Sequence, residues 1–327
     1  MQVEFSDIRK SFGSKEVLKG LSFNVESGHA FGLLGRNGAG KTTSIRILMN
    51  VFFPDSGDIL LNGESIIGRQ EEVRSFGYLP EEKGLYPKLQ ILHQMIYIGN
   101  LRGLTKRQAR NNARYWLHKL GMLEHQHQKL ETLSKGNQQK IQLATALITN
   151  PQLVILDEPF SGLDPVNSLL LRDVVQELVD DGRLVFFSSH QMTYVESFCE
   201  EVAILDKGEI VLKGKIDEIK RSYPRDLIQI RLSQEAEAMA MPAQAVVERL
   251  KELQNRQALS AEISEIKVKD NSALVRLKDP STRDFLLRDL VNLELPIERF
   301  QVVEPSLEDI FVTVTKDSAE EGVEANA

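Results

Sequence analysis

The order of apolar and polar positions predicts a layered α/β protein. Three early segments alternate and predict short strands at a sheet edge: "VEFSDIRKSFG", "EVLKGLSFNVESG" and "HAFGLLG". The runs "LVILDEP" (153–159) and "LVFFSSH" (184–190) are continuously apolar, as in buried parallel strands. Between them, "SLLLRDVVQELVDDG" predicts an amphipathic helix that ends at Gly182. Strands that alternate with helices favour an α/β layer.

Composition changes along the chain predict two domains. Residues 85–150 are rich in helix formers, which predicts a helical subdomain inside a first domain that covers 1–222. Residues 225–315 read strand, helix, strand, strand, helix, strand, the order of a small ferredoxin-like α+β domain. The acidic segment 316–327 predicts a disordered tail.

Charge and cysteine content narrow the function classes. The net charge of −7 supplies no basic field for nucleic acid, so no nucleic-acid partner is expected. The single cysteine, Cys199, forms no internal disulfide and indicates a reducing cytosol. Its place in "YVESFCEEVAIL" predicts a packing residue on a helix face. The segment "MQVEFSDIRK" is already charged and lacks the apolar run of a secretory signal peptide. No uncharged apolar run approaches the roughly 18 residues that a membrane-spanning helix needs.

The segment "GRNGAGKTT" (35–43) matches G-x-x-x-x-G-K-[ST] between an apolar strand and a helix. Its glycines allow backbone N–H groups to converge on an anion, and the helix that follows adds a partial positive charge. Lys41 then reaches β- and γ-phosphate oxygens, while the Thr42 hydroxyl ligates Mg²⁺. The alternative is a generic Gly-rich turn. The predicted phosphate-binding residues are Gly35, Asn37, Gly38, Ala39, Gly40, Lys41, Thr42 and Thr43.

Two carboxylates follow the apolar run 153–156. Asp157, at the end of a buried strand, is predicted to hold the Mg²⁺ of the phosphate loop. Glu158 is predicted to orient and deprotonate the water that attacks the γ-phosphate. Taken alone, the pair is equally consistent with a strand-end helix cap.

The order of further motifs resembles that of the ATP-binding-cassette (ABC) ATPases. "LSKGNQQK" (133–140) stands at the signature position, "SGLDP" (161–165) at the D-loop, and "SSH" at the H-loop. The resemblance covers roughly residues 1–220 and implies ATP and Mg²⁺ as ligands.

The resemblance implies a role for each matching position. Phe12 stacks on adenine, although core packing is its alternative. Ser134 and Gly136 contact the γ-phosphate bound to the opposite subunit, and Asp164 links the two sites across a head-to-tail dimer. His190 contacts the γ-phosphate as a catalytic switch, whereas by itself it reads as an ordinary strand-end histidine.

Two motifs depart from the family pattern. Glu81 replaces the Q-loop glutamine and, as a carboxylate, still ligates Mg²⁺. In the signature, Lys135 and Asn137 replace glycine and glutamine, and Lys135 lacks the backbone freedom of glycine.

The resemblance implies the ATPase subunit of a transporter, cytoplasmic and peripheral on the inner membrane face. It would pair with a second ATPase subunit and drive a separate transmembrane permease, contacted through residues 81–89. "GYLPEEKGLY", "LSKGNQQK" and "EPSLEDIFVTVT" resemble the ABC-2 exporters of sodium efflux and antibiotic resistance. The alternatives are an ATP-gated binding clamp with little turnover and a soluble ABC ATPase that acts on ribosomes or DNA.

Three histidines and the single tryptophan are not predicted to form a functional site. His118, His125 and His127 suggest a metal, but they have no carboxylate or thiol framework, and a solvated surface is favoured. Trp116 is predicted to be a core residue of the helical subdomain.

Overall fold

The computed structural model describes residues 1–82, 84–232, 243–255, 259, 261–269, 272–293 and 297–324. The chain divides into two compact units. The first comprises Met1–Asp217 together with Phe311–Ala327, and the second comprises Glu218–Ile310. Within the described residues, no helix has the length and apolar character that crossing a membrane requires.

Strands of the first unit form two sheets. They are β1 (Gln2–Phe12), β2 (Lys15–Glu26), β3 (Ala30–Leu34), β4 (Ser56–Leu61), β5 (Glu64–Ser65), β6 (Gly77–Leu79), β7 (Leu153–Asp157), β8 (Leu184–Ser189), β9 (Glu201–Asp206) and β10 (Glu209–Lys215). The smaller sheet is antiparallel in the order β2-β1-β4-β5, and the larger has the order β10-β9-β3-β8-β7-β6. In the larger sheet β3, β6, β7, β8 and β9 run parallel, and β10 pairs antiparallel with β9.

Strands form at all three segments predicted from the alternation, but they are not short strands of one sheet edge, and only β2 lies at an edge. β1 and β2 are long strands of 11 and 12 residues in the antiparallel sheet, and β3 lies in the interior of the parallel sheet. All five residues of β3 are buried, because both faces of a central parallel strand are covered. This position brings the end of β3 beside the ends of its neighbours.

Helices of the first unit flank these sheets and form the helical subdomain. They are α1 (Lys41–Leu48), α2 (Gln70–Arg74), α3 (Ile91–Leu101), α4 (Lys106–Lys119), α5 (Lys135–Ala146), α6 (Pro165–Asp180), α7 (Met192–Phe198) and α8 (Ile216–Ser222), the last of which continues into the second unit. Short 3₁₀ turns cover Leu123–His125 and Leu130–Thr132. Helices α3, α4 and α5 occupy the predicted insert, and Trp116 on α4 is buried, as predicted.

A stack of phenylalanine rings fills the core between the two sheets. The rings of Phe5 and Phe23 stack 4.4 Å apart, and the ring of Phe31 lies 5.6 Å from that of Phe23. Phe186 of β8 contacts all three rings. These rings pack one face of the larger sheet against the smaller sheet. The phosphate loop begins at the end of β3 and leads into the helix that follows it.

The second unit is a four-stranded antiparallel sheet with two helices against it. Its elements are β11 (Leu227–Leu232), α9 (Ala243–Asn255), β12 (Ile263–Lys269), β13 (Ser272–Leu277), a 3₁₀ turn (Pro280–Thr282), α10 (Arg283–Asn292) and β14 (Ile297–Val303). The strand order β12-β13-β11-β14 is that of the split βαβ fold, as predicted. Its core joins Leu250 of α9 and Leu286 of α10 to Val275 of the sheet.

The end of the chain differs from the predicted disordered tail. Helix α11 (Leu307–Glu324) continues to residue 324, and residues 325–327 lie outside those described. Its buried residues Leu307, Ile310 and Phe311 recur at helical spacing, so packing starts a helix that the Ala and Glu residues of the tail can continue. Residues 311–315, predicted to belong to the second domain, lie in the first unit.

Candidate functional site

The loop between β3 and α1 has the backbone that an anion nest requires. Gly38 and Gly40 have φ angles of 84° and 118°, in the left-handed region that favours glycine. At Gly35 a Cβ atom would lie 2.4 Å from the carbonyl oxygen of Leu205, so a side chain there would displace the loop. The sequence pattern therefore follows from local geometry.

Lys41, the first residue of α1, points back across this loop. Its Nζ donates to the carbonyl oxygens of Gly35 at 2.7 Å and Arg36 at 3.4 Å. Burial lowers the pKa of Lys41, an effect opposed by the nearby carboxylates, of which Glu158 acts most strongly. A buried ammonium that bonds only weakly to a carboxylate, at 3.9 Å from Glu158 Oε1, is well placed to exchange these contacts for phosphate oxygens.

A cavity of about 450 Å³ opens at this loop, within the size range of ligand pockets. It brings together many predicted residues that are distant in sequence, including Glu81 and Glu158. Its lining residues are Lys15, Val17, Asn37, Gly38, Gly40, Lys41, Thr42, Thr43, Glu81 and Glu158. The volume, the two lysines and the N–H groups of the loop fit a polyphosphate tail, and the two glutamates fit the cation that accompanies it.

Asp157 has the chemistry of a cation ligand. It is 1% exposed, and both of its carboxylate oxygens lack a hydrogen-bond donor in bonding geometry among the described residues. Burial raises its pKa to about 6; the carboxylates of Glu81 and Glu158 add to the shift, and the hydroxyl of Ser188 opposes it. A buried carboxylate whose neighbouring donor among the described residues, the Ser188 hydroxyl, is outside bonding geometry fits a metal ion, and Thr42 and Glu81 line the adjacent cavity.

Glu158 is held by several donors at once. Its Oε1 accepts the backbone N–H of His190 at 2.8 Å and lies 2.7 Å from Nδ1 of the same residue. Its Oε2 accepts from the Ser189 hydroxyl at 2.9 Å. The backbone of Glu158 has a φ of 48°, a strained conformation of the kind that concentrates at functional sites. Ser189 was not predicted as a site residue, although it stands directly before His190 in the sequence.

An aromatic stack supports the helix that follows His190. The ring of Phe160 lies 4.6 Å from the rings of both Tyr194 and Phe198 on α7, and 5.9 Å from that of Phe187. These contacts join the segment after Glu158 to the segment after His190. The sequence alone gave no signal of this pairing.

Phe12 lies outside the core and does not line the cavity itself, but it pairs across the β1–β2 hairpin with Lys15, which does. Its side chain is 45% exposed and meets the ring of Phe52 edge to face, with centroids 5.5 Å apart. The ammonium of Lys10 lies 5.6 Å from its centroid. Such exposure disfavours the core-packing alternative, and stacking on adenine stays a prediction.

The predicted signature and D-loop residues lie together, away from the described cavity lining. Ser134 caps α5 by accepting the N–H of Asn137, and Asp164 caps α6 by accepting the N–H of Asn167 at 2.9 Å. This N–H bond holds the pKa of Asp164 below its usual range. A Cβ on Gly136 would lie 3.0 Å from the Asn167 amide nitrogen, so Asn167 joins the two motifs.

Lys135 and the other singled-out residues adopt ordinary conformations. Lys135 begins α5 and is not among the positive-φ residues, so the position has no need of glycine. Cys199 lies directly after α7 rather than on its face, and burial raises its thiol pKa. His118 and His127 are exposed, and among the described residues no three His, Cys, Asp or Glu side chains converge as a metal cluster.

Comparison with known proteins decides the family. The model of the family described as "ABC transporter" matches residues 18–161. That of the "ATP-binding protein DrrA1-3-like, C-terminal domain" matches residues 214–315. The chain is 37% identical over 309 residues to the uncharacterized ABC transporter ATP-binding protein YhaQ of Bacillus subtilis, with 93% of this chain and 95% of the relative covered.

The chain belongs to the ABC transporter ATP-binding proteins. It carries the C-terminal domain of the DrrA-like type. The linearmycin resistance ATP-binding protein LnrL of Bacillus subtilis is 32% identical, over 96% of this chain and 98% of its own. The daunorubicin/doxorubicin resistance ATP-binding protein DrrA of Streptomyces peucetius is 27% identical, over 98% and 94%.

Solved structures agree with the fold of the first unit. An ATP-binding subunit of an ABC transporter superposes with a TM-score of 0.63 at 29% identity, covering 68% of this chain and 93% of that chain. A nucleotide-free ATP-binding cassette from an ABC transporter gives 0.62 at 23% identity, covering 69% and 97%. The predicted cassette fold is confirmed.

Proposed function

We propose that this ABC ATP-binding protein hydrolyses ATP and so powers a separate membrane permease in export. The observation that carries the proposal is the convergence of Lys41 and Glu158 on one cavity, beside the buried carboxylate of Asp157. The relatives LnrL and DrrA are resistance proteins, for linearmycin and for daunorubicin and doxorubicin, which supports export as the direction of transport.

Each side chain has a distinct task in this reaction. Lys41 and the N–H groups of the loop bind the β- and γ-phosphates and favour the charge of the transition state. Glu158 accepts a proton from the attacking water, and His190 fixes the carboxylate and faces the γ-phosphate. Mg²⁺ held by Thr42 and Asp157, with Glu81 as a further ligand, would neutralise phosphate charge during the transfer.

A second copy or a related subunit completes each site. Ser134, Gly136 and Asp164 do not line the described cavity of their own chain, although the family pattern assigns them to the γ-phosphate and to the link between sites. A head-to-tail pair would place them over the partner's loop. ATP then joins the two subunits, and hydrolysis releases them.

The helical subdomain presents an apolar surface suited to the permease. Tyr97 and Leu101, one turn apart on α3, are 52% and 62% exposed. Tyr86 and Leu89, in the predicted contact segment, are also exposed, while residue 83 of that segment lies outside the described residues. A cytoplasmic subunit at the inner membrane face would cover this surface with its permease.

Purification from native membranes in mild detergent tests the proposal. We expect a stoichiometric polytopic membrane protein to co-purify with the wild type. The double variant Tyr97→Glu and Leu101→Glu should lose it, because two charges would be buried against an apolar partner. Basal ATPase activity of the purified subunit should stay within twofold, about 0.4 kcal/mol.

The matched control is Phe285→Glu, which changes an exposed aromatic residue of the second unit. It should retain the membrane protein. Ribosomal proteins in place of a membrane protein would support the soluble ABC ATPase, and equal recovery with the double variant would refute the α3 surface.

Ser189 offers a test of hydrolysis against the clamp alternative. Ser189→Ala removes one donor from the Glu158 carboxylate and should lower turnover about 10- to 100-fold, since a hydrogen bond to a charged group contributes about 1.5–3 kcal/mol. ATP affinity should change less than twofold. The exposed Ser197→Ala serves as the control, because within the described part of the chain its hydroxyl bonds only to the carbonyl of Tyr194.

Phosphate release under saturating ATP gives the turnover of these variants. If Ser189→Ala turns over like the wild type, the hydroxyl has no part in positioning Glu158. A wild type that binds ATP without measurable phosphate release would favour the clamp.

A further inference from the structure

A phenylalanine of the C-terminal helix reaches the phosphate loop. The guanidinium carbon of Arg36 lies 5.6 Å from the centroid of the Phe311 ring, on α11. Both residues belong to the first unit. Arg36 directly follows Gly35 in the loop, so this contact joins the predicted phosphate-binding loop to a residue far along the chain.

The two partners differ in freedom of movement. Phe311 is 3% exposed, and a ring packed in this way has little space to rotate. Arg36 is exposed, and a free arginine side chain samples many rotamers unless a neighbour restrains it. The ring is therefore the fixed member of the pair, and the arginine is the member that it holds.

Restraint of Arg36 extends to the loop backbone. The carbonyl oxygen of Arg36 accepts the N–H of Ala39 at 3.1 Å, which closes the turn of the loop. The same oxygen accepts from Lys41 Nζ at 3.4 Å. A side chain that is fixed at residue 36 limits the movement of this carbonyl, and with it the turn and the lysine.

We propose that Phe311 is a positioning residue of the ATP site. By holding the Arg36 guanidinium, its ring orders the loop at residues 35–40 before ATP arrives and reduces the entropy lost on binding. Phe311 acts through Arg36 and touches no substrate. Because the coupling is reciprocal, bound ATP also stabilises the contact of Phe311 with the loop. The proposal rests on ATP binding at this loop and is independent of hydrolysis.

Titration with a fluorescent trinitrophenyl analogue of ATP tests the proposal in the full-length protein. Phe311→Leu keeps an apolar side chain in the packed position but removes the aromatic face, and Arg36→Ala removes the cation. Each should raise the Kd about two- to fivefold, the range expected for an exposed cation–π contact. Phe311→Tyr keeps the face and should bind as the wild type does.

The double variant separates a shared contact from two independent defects. Phe311→Leu combined with Arg36→Ala should bind no more weakly than the weaker single variant, since both remove one interaction. In phosphate-release assays, KM should rise with the Kd while kcat stays within twofold. The control is Val312→Ala, at the exposed neighbouring position, which should bind like the wild type.

Two results would overturn the proposal. Wild-type affinity in Phe311→Leu would show that packing volume alone matters at this position. Effects that multiply in the double variant would show that the two residues act separately. A wild type that fails to bind the analogue would refute the ATP site itself, which distinguishes that failure from a failure of the Phe311 contact alone.

Discussion

Glu158→Gln is expected to lower ATP turnover by about 10²- to 10⁴-fold, the contribution of a positioned general base. The amide has nearly the shape of the carboxylate: its oxygen can replace Oε1 and accept the His190 N–H, and its NH2 group can replace Oε2 and donate to the Ser189 hydroxyl, so the local structure should persist. It cannot take the proton of the attacking water. ATP affinity should therefore remain within twofold of the wild type.

Phosphate release and ATP titration on the same preparations check this result. Glu71→Gln is the matched control, because Glu71 is an exposed carboxylate on α2 and its loss should leave both quantities unchanged. Equal turnover in Glu158→Gln and the wild type would exclude Glu158 as the base. It would leave the strained backbone at this residue without a catalytic explanation.

Lys41→Met is expected to raise the Kd for ATP about 10- to 100-fold. Methionine fills much of the volume of the buried lysine stem but removes the ammonium that donates to Gly35 and would donate to phosphate. Hydrogen bonds between charged groups contribute about 1.5–3 kcal/mol, which gives this range. The variant should also lose most of the thermal stabilisation that saturating ATP gives the wild type.

Lys106→Met is the control for this change, since Lys106 is exposed at the first turn of α4. It should bind ATP and gain thermal stability as the wild type does. If Lys41→Met keeps wild-type affinity, the phosphate tail does not occupy the loop at residues 35–40.

Local patterns in the sequence predicted the centre of the site. The segment from Gly35 to Thr42 could be predicted as a phosphate loop because its backbone conformation requires glycine. Gly38 and Gly40 adopt positive φ angles that other residues avoid. Asp157 could be placed because a run of apolar residues ends at it, and the structure shows that run as buried β7. Such features depend on neighbours in sequence and are visible without a fold.

Contacts between distant segments could not be predicted in the same way. The hydroxyl of Ser189 meets Glu158 only because β7 and β8 are adjacent in the parallel sheet. Phe311 meets Arg36 across most of the length of the chain, and no pattern near either residue signals the contact.

Two hairpins that were not predicted, β4–β5 and β9–β10, have residues typical of tight turns. Asn62 and Gly63 both have positive φ angles in the turn between β4 and β5, as Lys207 and Gly208 do between β9 and β10. Asn-Gly between apolar segments is a strong indication of a two-residue hairpin. The first of these hairpins extends the antiparallel sheet and the second extends the parallel sheet, at strands that the alternation pattern alone did not assign.

The most direct test of the account is the mass of Glu158→Gln in solution with and without Mg²⁺ and ATP, measured by light scattering. We expect one chain without nucleotide and a pair with ATP, because slow hydrolysis should trap the subunits around the nucleotide. Ser134→Arg in the same background should return the mass to one chain. A single-chain mass at saturating ATP, in protein that demonstrably binds ATP, would contradict the proposal that two signature segments close on two phosphate loops.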